Sequence, residues 1–416
     1  QPPAAAHGTS ILPPQHFLSG KNDVRVAITG GAGQIAYALV PLIVHGRVFG
    51  EGRKVRLRLL DIEACAAALE GVAMEIRDCY SDLVTEVVAT SDPEVAFQGA
   101  DVAVLLGGFP RLPGMERRDL IAKNVPIMVE HGRALAKCAA KEVRVLVVAN
   151  PACTNCLIAS TAAPCIPRSH FSSLARLDQD RLSAMLAEEL SSEEKLGSRQ
   201  GSQSQKQQDG QHDSSGSQEI ELLPSTRINV RGVYIWGNHS PTMWPDVSRA
   251  EAKINGRWVP VKDGYIQKRG GIRNAAAEAA GAEAGSTQAA ATAAWREWLS
   301  ETLVPAVRNR GSKVIDARGK SSALSAANAI VNHLRDWLSS PIGTQKAVSM
   351  GVFSDENPYG VPGGLVYSFP VECGEGQYRI VDGFRPVVAM LEASTQELIE
   401  ERQEALEMLR EFGLRT

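Results

Sequence analysis

The stretch Val24-Arg25-Val26-Ala27-Ile28-Thr29-Gly30-Gly31-Ala32-Gly33-Gln34-Ile35-Ala36 decides the fold. Its first six residues read as a short buried strand, and the apolar run from Gln34 to Val44 suits a buried helix. Between them, Gly30, Gly33 and Ala36 form G-x-x-G-x-x-A at the strand-to-helix turn. The bare spacing is a weak signal, but in this context it predicts a dinucleotide site. Residues without side chains let the backbone approach a pyrophosphate, and the helix N-terminus offers it free N–H groups and partial positive charge. A small Ala36 lets the helix pack closely on the sheet. Gly30, Gly31, Ala32, Gly33, Gln34, Ile35 and Ala36 are therefore the expected cofactor-binding turn.

Outward from that turn, strands and helices alternate. Val55 to Asp61 reads as a strand, Glu63 to Arg77 as a helix, Glu86 to Thr90 as a strand and Asp101 to Gly108 as another. Ile121 to Lys141 looks helical, and Val143 to Ala149 is an almost wholly apolar strand. Continuous apolar strands separated by helices predict a parallel sheet covered on both faces. Later come an alternating stretch from Asn229 to Ile235, a helical pattern from Ser321 to Leu338, hairpin-like strands from Lys346 to Glu372 and an amphipathic helix from Ser394 to Phe412. The fold class expected is α/β, a Rossmann-type doubly wound parallel sheet followed by an α+β catalytic domain. The expected division is a disordered extension at 1–22, a nucleotide-binding domain at 23–173 and a catalytic domain at 174–416. A Ser/Gln-rich insertion at 191–225 and an Ala/Gly-rich one at 270–294 look like additions, either tolerated surface insertions or partner-binding segments.

Asp61 ends the second strand, 28 positions after Gly33 (61 minus 33). The usual spacing is about 20, and the loop from Gly46 to Gly52 accounts for the excess. A carboxylate there accepts hydrogen bonds from ribose hydroxyls and repels a 2′-phosphate, which predicts NAD over NADP.

Across 416 residues the chain is 44% hydrophobic and 22% charged, with net charge -3. Such a chain has no general attraction to nucleic acid or anionic membrane. No stretch approaches the roughly 18 apolar residues that cross a bilayer. Seven cysteines, an odd number, argue against a disulfide framework. Cys153 and Cys156 form a lone C-x-x-C, open to a redox or metal reading, but no second pair or histidine cluster supports a metal. Residues 1–21 lack the apolar core of a signal peptide, and read as a processed leader's remnant or an unstructured tail.

Arg111 and Arg117, six apart around Pro113 and Gly114, follow the strand that ends at Gly108. They lie at the carboxyl edge of the sheet, where open α/β sheets bind ligands, and suit a mobile loop that grips carboxylates. Arg176 stands in Leu174-Ala175-Arg176-Leu177-Asp178, and His239 in Gly237-Asn238-His239-Ser240. Taken singly, each is more often a surface charge or a structural ring. Hydride transfer to a 2-oxo acid, however, needs a proton donor with the pKa of imidazole. Asp178 is a partner that would fix the His239 tautomer.

These segments, with Thr29 to Tyr37, Gly107 to Arg111, Gly114 to Arg117, Val147 to Pro151, Arg176 to Asp178, Trp236 to Ser240, Lys320 to Ala327 and Tyr359 to Pro362, resemble the cytosolic-type malate dehydrogenases of the lactate/malate dehydrogenase superfamily. The likeness runs from about residue 24 to 412 outside the insertions. It implies a homodimeric, cytoplasmic, NAD-dependent enzyme of malate and oxaloacetate, with an organelle as the alternative compartment if a leader is removed. It also implies roles: His239 as proton donor and acceptor with Asp178 as partner, and Arg176 on the carboxylate beside the reacting carbon. Arg111 and Arg117 would hold the distal carboxylate, and Asn150 would touch substrate and nicotinamide ribose. Asn124, the backbone at Val148, and Ala149 would meet cofactor, as would His131, which stands where the family usually has glutamine. No metal is implied. A lactate-type or NADP-dependent enzyme, or a non-catalytic scaffold of the same fold, are the alternatives.

Overall fold

The computed structural model describes residues 17–18, 20–110, 114–191, 228–268, 284–341, 343 and 346–414. The extension up to residue 16, the Ser/Gln-rich tract beyond 191 and most of the Ala/Gly-rich tract lie outside these residues. The described residues fall into two compact units, one from those within 1–177, 237–242 and 322–416, the other from those within 178–236 and 243–321.

The first unit is built on a nine-stranded sheet. Strands β1 (Asp23–Thr29), β2 (Lys54–Leu60), β3 (Val84–Thr90), β4 (Val102–Leu105), β5 (Arg144–Val147) and β6 (Phe171–Ser173) lie in the order β3-β2-β1-β4-β5-β6. All neighbours among them are parallel. This order brings the carboxyl ends of β1 and β4 side by side, where the chain leaves for opposite flanks and a crevice opens. The crossovers are α1 (Gln34–Val44), α2 (Ala66–Asp78), α3 (Pro93–Phe97), α4 (Arg117–Cys138) and α5 (Ala152–Thr161). As the apolar runs require, β4 and β5 are buried at every position.

The late strands do not form a sheet of their own. Numbered after the strands of the second unit, β12 (Val348–Phe353), β13 (Val366–Gly374) and β14 (Gln377–Ile380) extend this same sheet antiparallel, joined through Gly351 opposite Ser173. A Cβ on Gly351 would lie 1.8 Å from the Ser173 hydroxyl oxygen, so the junction needs glycine. Order also begins before Val24. Phe17 and Leu18 are buried, and the Arg144 guanidinium sits 4.8 Å from the Phe17 ring centre.

The second unit starts within α6 (Arg176–Ser191). The stretch expected as one strand over Asn229 to Ile235 is two, β7 (Val230–Arg231) and β8 (Tyr234–Trp236), in different sheets. Gly232 breaks it with φ +71°, and a side chain there would lie 2.2 Å from the Arg249 carbonyl oxygen. β7 joins β10 (Glu251–Ile254) and β11 (Arg257–Pro260), while β8 pairs with β9 (Trp244–Asp246). Helical residues 261–268, α7 (Ala284–Trp298) and α8 (Val304–Arg318) complete the unit. Leu182, Leu186, Ile235, Met243, Tyr265, Trp295 and Val307 form its core, with Tyr265 and Trp298 stacked at 5.2 Å.

Back in the first unit, α9 (Leu324–Leu334) widens into a π turn at Arg335–Ser339, and α10 (Val388–Glu411) begins six residues before the expected Ser394. The π turn drives Asp336 and Trp337 into the interior. Val387, in extended conformation, caps α10, and the first turns are largely exposed, so the amphipathic pattern marks only the stretch of helix that packs. Among the described residues no helix is long and apolar enough to cross a membrane.

Candidate active site

The glycine turn is the best-defined part of the site. Gly30 has φ +65°, and a Cβ there would lie 3.0 Å from the Gly107 nitrogen, so the β1 and β4 loops can meet only without side chains. A Cβ on Gly31 would be 2.8 Å from Leu69 Cδ1, and one on Gly33 3.0 Å from the Gly30 carbonyl oxygen. Asp61 is anchored into this cradle. Its Oδ2 accepts from the Ala32 N–H at 2.9 Å and its Oδ1 from the Ile62 N–H at 2.9 Å. The loop insertion ahead of β2 has thus not displaced the acid. A backbone cradle at a helix start, with a carboxylate at its rim, fits an NAD pyrophosphate and ribose.

The neighbouring floor is made by the β4 and β5 ends. The Val148 and Ala149 N–H groups both donate to the Leu105 carbonyl at 3.0 Å, and exposed Asn150 follows, joined to Pro151 by a cis bond. Asn124 is fully buried: its Oδ1 accepts from the Phe109 N–H at 2.8 Å, and its Nδ2 donates to the Leu120 carbonyl at 2.9 Å and the Asn150 carbonyl at 3.4 Å. It braces two loops that meet at the site. His131 sits further along α4 with its ring edge-on to Phe97 at 5.8 Å. Burial lowers its pKa to about 4, so the ring is neutral.

The histidine loop, 237–242, is pinned by α10. The Asn238 N–H donates to Ser394 Oγ at 2.8 Å, and Asn238 Nδ2 donates to Glu401 at 2.8 Å and Glu397 at 3.2 Å. The Thr242 hydroxyl donates to Glu397 at 2.7 Å. Gly237, with φ +89°, leaves no room for a side chain against Ser394. His239 itself is half-buried, with its backbone in hydrogen-bonding range of the Cys153 thiol. Burial raises the Cys153 pKa to about 11 and lifts that of Cys156 well above its ordinary value. Thiols kept protonated in this way suit packing behind the loop, not redox exchange or metal ligation. Among the described residues no group of three or more His, Cys, Asp or Glu side chains is placed to hold a metal.

The arginines divide. Arg111 lies outside the described residues. Arg117 opens α4 and is ion-paired through Nε to Glu401. Arg176, expected to grip substrate, has Nη2 at 2.6 Å from Oδ2 of the buried Asp336. Asp178 belongs to the second unit, where Arg181 lies one helical turn on with Nη1 at 3.0 Å from Asp178 Oδ1. The sequence reading passed over Arg181, although its i+3 spacing puts it on the same helix face as Asp178. Asn238, Thr154 and Glu401 were also passed over. Asn238 stands inside the Trp236 to Ser240 motif without a role of its own, and Thr154 and Glu401 have no motif signal, because what relates the three is the fold.

Sheet order and glycine cradle together define a Rossmann-type dinucleotide-binding protein. A model of the lactate/malate dehydrogenase NAD-binding domain matches residues 24–172, and one of the lactate/malate dehydrogenase alpha/beta C-terminal domain matches residues 275–409. The cytoplasmic malate dehydrogenase of Felis catus is 40% identical over 390 residues, 93% of this chain and 98% of that one. The crystal structure of malate dehydrogenase from Naegleria fowleri is 34% identical with a TM-score of 0.72, covering 93% of this chain and 98% of its own. Trichomonas vaginalis lactate dehydrogenase in complex with NADH and oxamate is 30% identical with a TM-score of 0.72, covering 93% and 99%. The chain belongs to the lactate/malate dehydrogenase family.

Proposed function

We propose that this chain catalyses reversible hydride transfer between NAD(H) and the malate/oxaloacetate pair. The observation that carries the reading is the glycine cradle with Asp61 hydrogen-bonded into it, in a chain 40% identical to a named malate dehydrogenase over nearly its whole length. When bound, NAD supplies the hydride acceptor and NADH the donor. The residues of the chain do the rest. Backbone N–H groups of the turn meet the pyrophosphate, and Asp61 meets the adenosine ribose and disfavours a 2′-phosphate. Asn150 stands at the exposed end of β5, where substrate and nicotinamide ribose would meet.

The imidazole of His239 gives a proton to the carbonyl oxygen as oxaloacetate is reduced and takes it back from the malate hydroxyl in reverse. Asp178 fixes the ring tautomer, and Arg111 and Arg117 hold the distal carboxylate. The resemblance gives the carboxylate beside the reacting carbon to Arg176. Arg176 is paired with Asp336 and Arg181 with Asp178; we assign that carboxylate to Arg181 because it shares a helix face with Asp178, the residue proposed to serve His239.

Purified protein with oxaloacetate and NADH should consume NADH, and NADPH should be much the poorer donor. Pyruvate run in parallel tests the lactate-type reading that the Trichomonas vaginalis neighbour raises. His239→Asn should keep NADH binding and abolish turnover; a variant that still turns over reassigns the acid. Cytoplasmic residence is supported by the similarity to cytoplasmic malate dehydrogenases and is checked by cell fractionation. A homodimer follows from the family resemblance and is checked by light scattering.

A further inference from the structure

Glu401 lies in the middle of α10, on the face that also carries Leu398, Ala405 and Leu409, and is almost fully buried. A carboxylate in that position is costly unless several donors surround it. Its donors come from three separate places: Arg117 Nε at the start of α4, Thr154 Oγ1 in α5, and Asn238 Nδ2 beside His239. Any apolar residue would close this helix face without that cost, so packing alone does not account for the charge.

Arg117 is held by one edge only. Its Nη2 is buried and, among the described residues, has no hydrogen-bond partner. A buried guanidinium nitrogen left unpaired is a donor turned toward a missing acceptor. Binding Nε fixes the plane of the guanidinium, and a fixed fork loses less freedom when it grips a carboxylate than a free one does.

We propose that Glu401 is a positioning residue for substrate: it fixes Arg117 so that the Nη2 edge faces the distal carboxylate, and it secures the Asn238 side of the histidine loop from the same atoms. The proposal rests on the reading of activity given above. It makes the terminal helix part of the substrate-recognition apparatus, although no atom of that helix need touch the ligand.

The test is a double-mutant cycle on KM. Glu401→Gln keeps the shape and the acceptor for Thr154 but removes the charge that orients Arg117. The oxaloacetate KM should rise by about tenfold, the effect of losing one charge-assisted hydrogen bond, while the NADH KM stays at its wild-type value. In an Arg117→Gln background, Glu401→Gln should add almost nothing to the oxaloacetate KM, because the guanidinium it orients is already gone, and any loss through the Asn238 contact falls on kcat instead. Additive penalties, or an oxaloacetate KM unchanged in Glu401→Gln, would overturn the proposal. If Glu401→Gln does not fold, Arg117→Lys decides the matter with Glu401 intact. It keeps the positive charge but lacks the fork, and a wild-type oxaloacetate KM in that variant also overturns the proposal. Failure of the unaltered chain to turn over oxaloacetate is a different result, and it removes the assigned activity itself.

Discussion

Replacing Arg176 and Arg181 separately by glutamine separates holding the fold from holding the substrate. Arg176 and Asp336 meet at 2.6 Å, and Asp336 has 2% of its surface exposed. Arg176→Gln leaves that carboxylate in the interior with its strongest partner gone, a change that costs about 3–5 kcal/mol. At about 2.1 cal/mol/K of unfolding entropy per residue, each kcal/mol moves the melting temperature of a 416-residue chain by only about 1 °C, so a drop of roughly 3–6 °C is expected. The double replacement Arg176→Met with Asp336→Leu removes both charges and should recover most of the loss. Arg181→Gln likewise strands the buried Asp178 and should also lower the melting temperature by a few degrees, but it alone should raise the oxaloacetate KM by about two orders of magnitude, since an unmatched buried carboxylate end costs roughly 2–5 kcal/mol. Thermal melts and steady-state kinetics, both taken well below the lower melting temperature, report the two effects independently. If Arg176→Gln melts like the unaltered protein yet loses oxaloacetate, while Arg181→Gln binds it normally, the assignment is reversed.

Asp61→Ser should narrow the preference for NADH over NADPH by at least about tenfold, because it removes the repulsion of a 2′-phosphate; an unchanged ratio of kcat/KM values would acquit the carboxylate. Arg111→Gln should depress oxaloacetate turnover far more than pyruvate turnover, and equal losses on both substrates would remove Arg111 from specificity. Buried His131, with its pKa lowered to about 4 from 6.5, ties stability to pH. Below pH 6.5 the unfolded chain takes up a proton that the folded ring refuses, so its contribution is present above 6.5 and is lost as pH falls toward 4. The loss runs at about 1.4 kcal/mol per pH unit. His131→Gln should therefore show a shallower fall in denaturant stability over that range, and parallel curves for the two proteins would contradict the burial argument.

The turn, its flanking strand and helix, and the acid at the end of β2 were legible because each is a local pattern with one physical cause. The glycines stand where a Cβ would meet Gly107 or Leu69, and the sequence shows that requirement directly. The strand expected over Asn229 to Ile235 failed because alternation says nothing about which sheet a residue joins, and Gly232 turns the chain in its middle. Arg176 is named by its motif and Arg181 is not, and the pairs that the two guanidiniums make, with Asp336 on the π turn and with Asp178, show only once the chain is folded. Glu401 could not be read at all. It is one acid among many in a charged helix until the fold brings Arg117, Thr154 and Asn238 against it.

The junction at Gly351 and Ser173 bears on how the molecule is made. The parallel core is complete in outline once β6 has been synthesised, but its last edge is then a bare row of unpaired backbone groups, open to pairing with other chains. That row is closed only by β12, translated far later, and the helix that fastens the histidine loop follows later still. A nascent chain stalled between β6 and β12 would present a nucleotide cradle with a sticky flank and no histidine loop fastened behind it, a species for chaperones to shield.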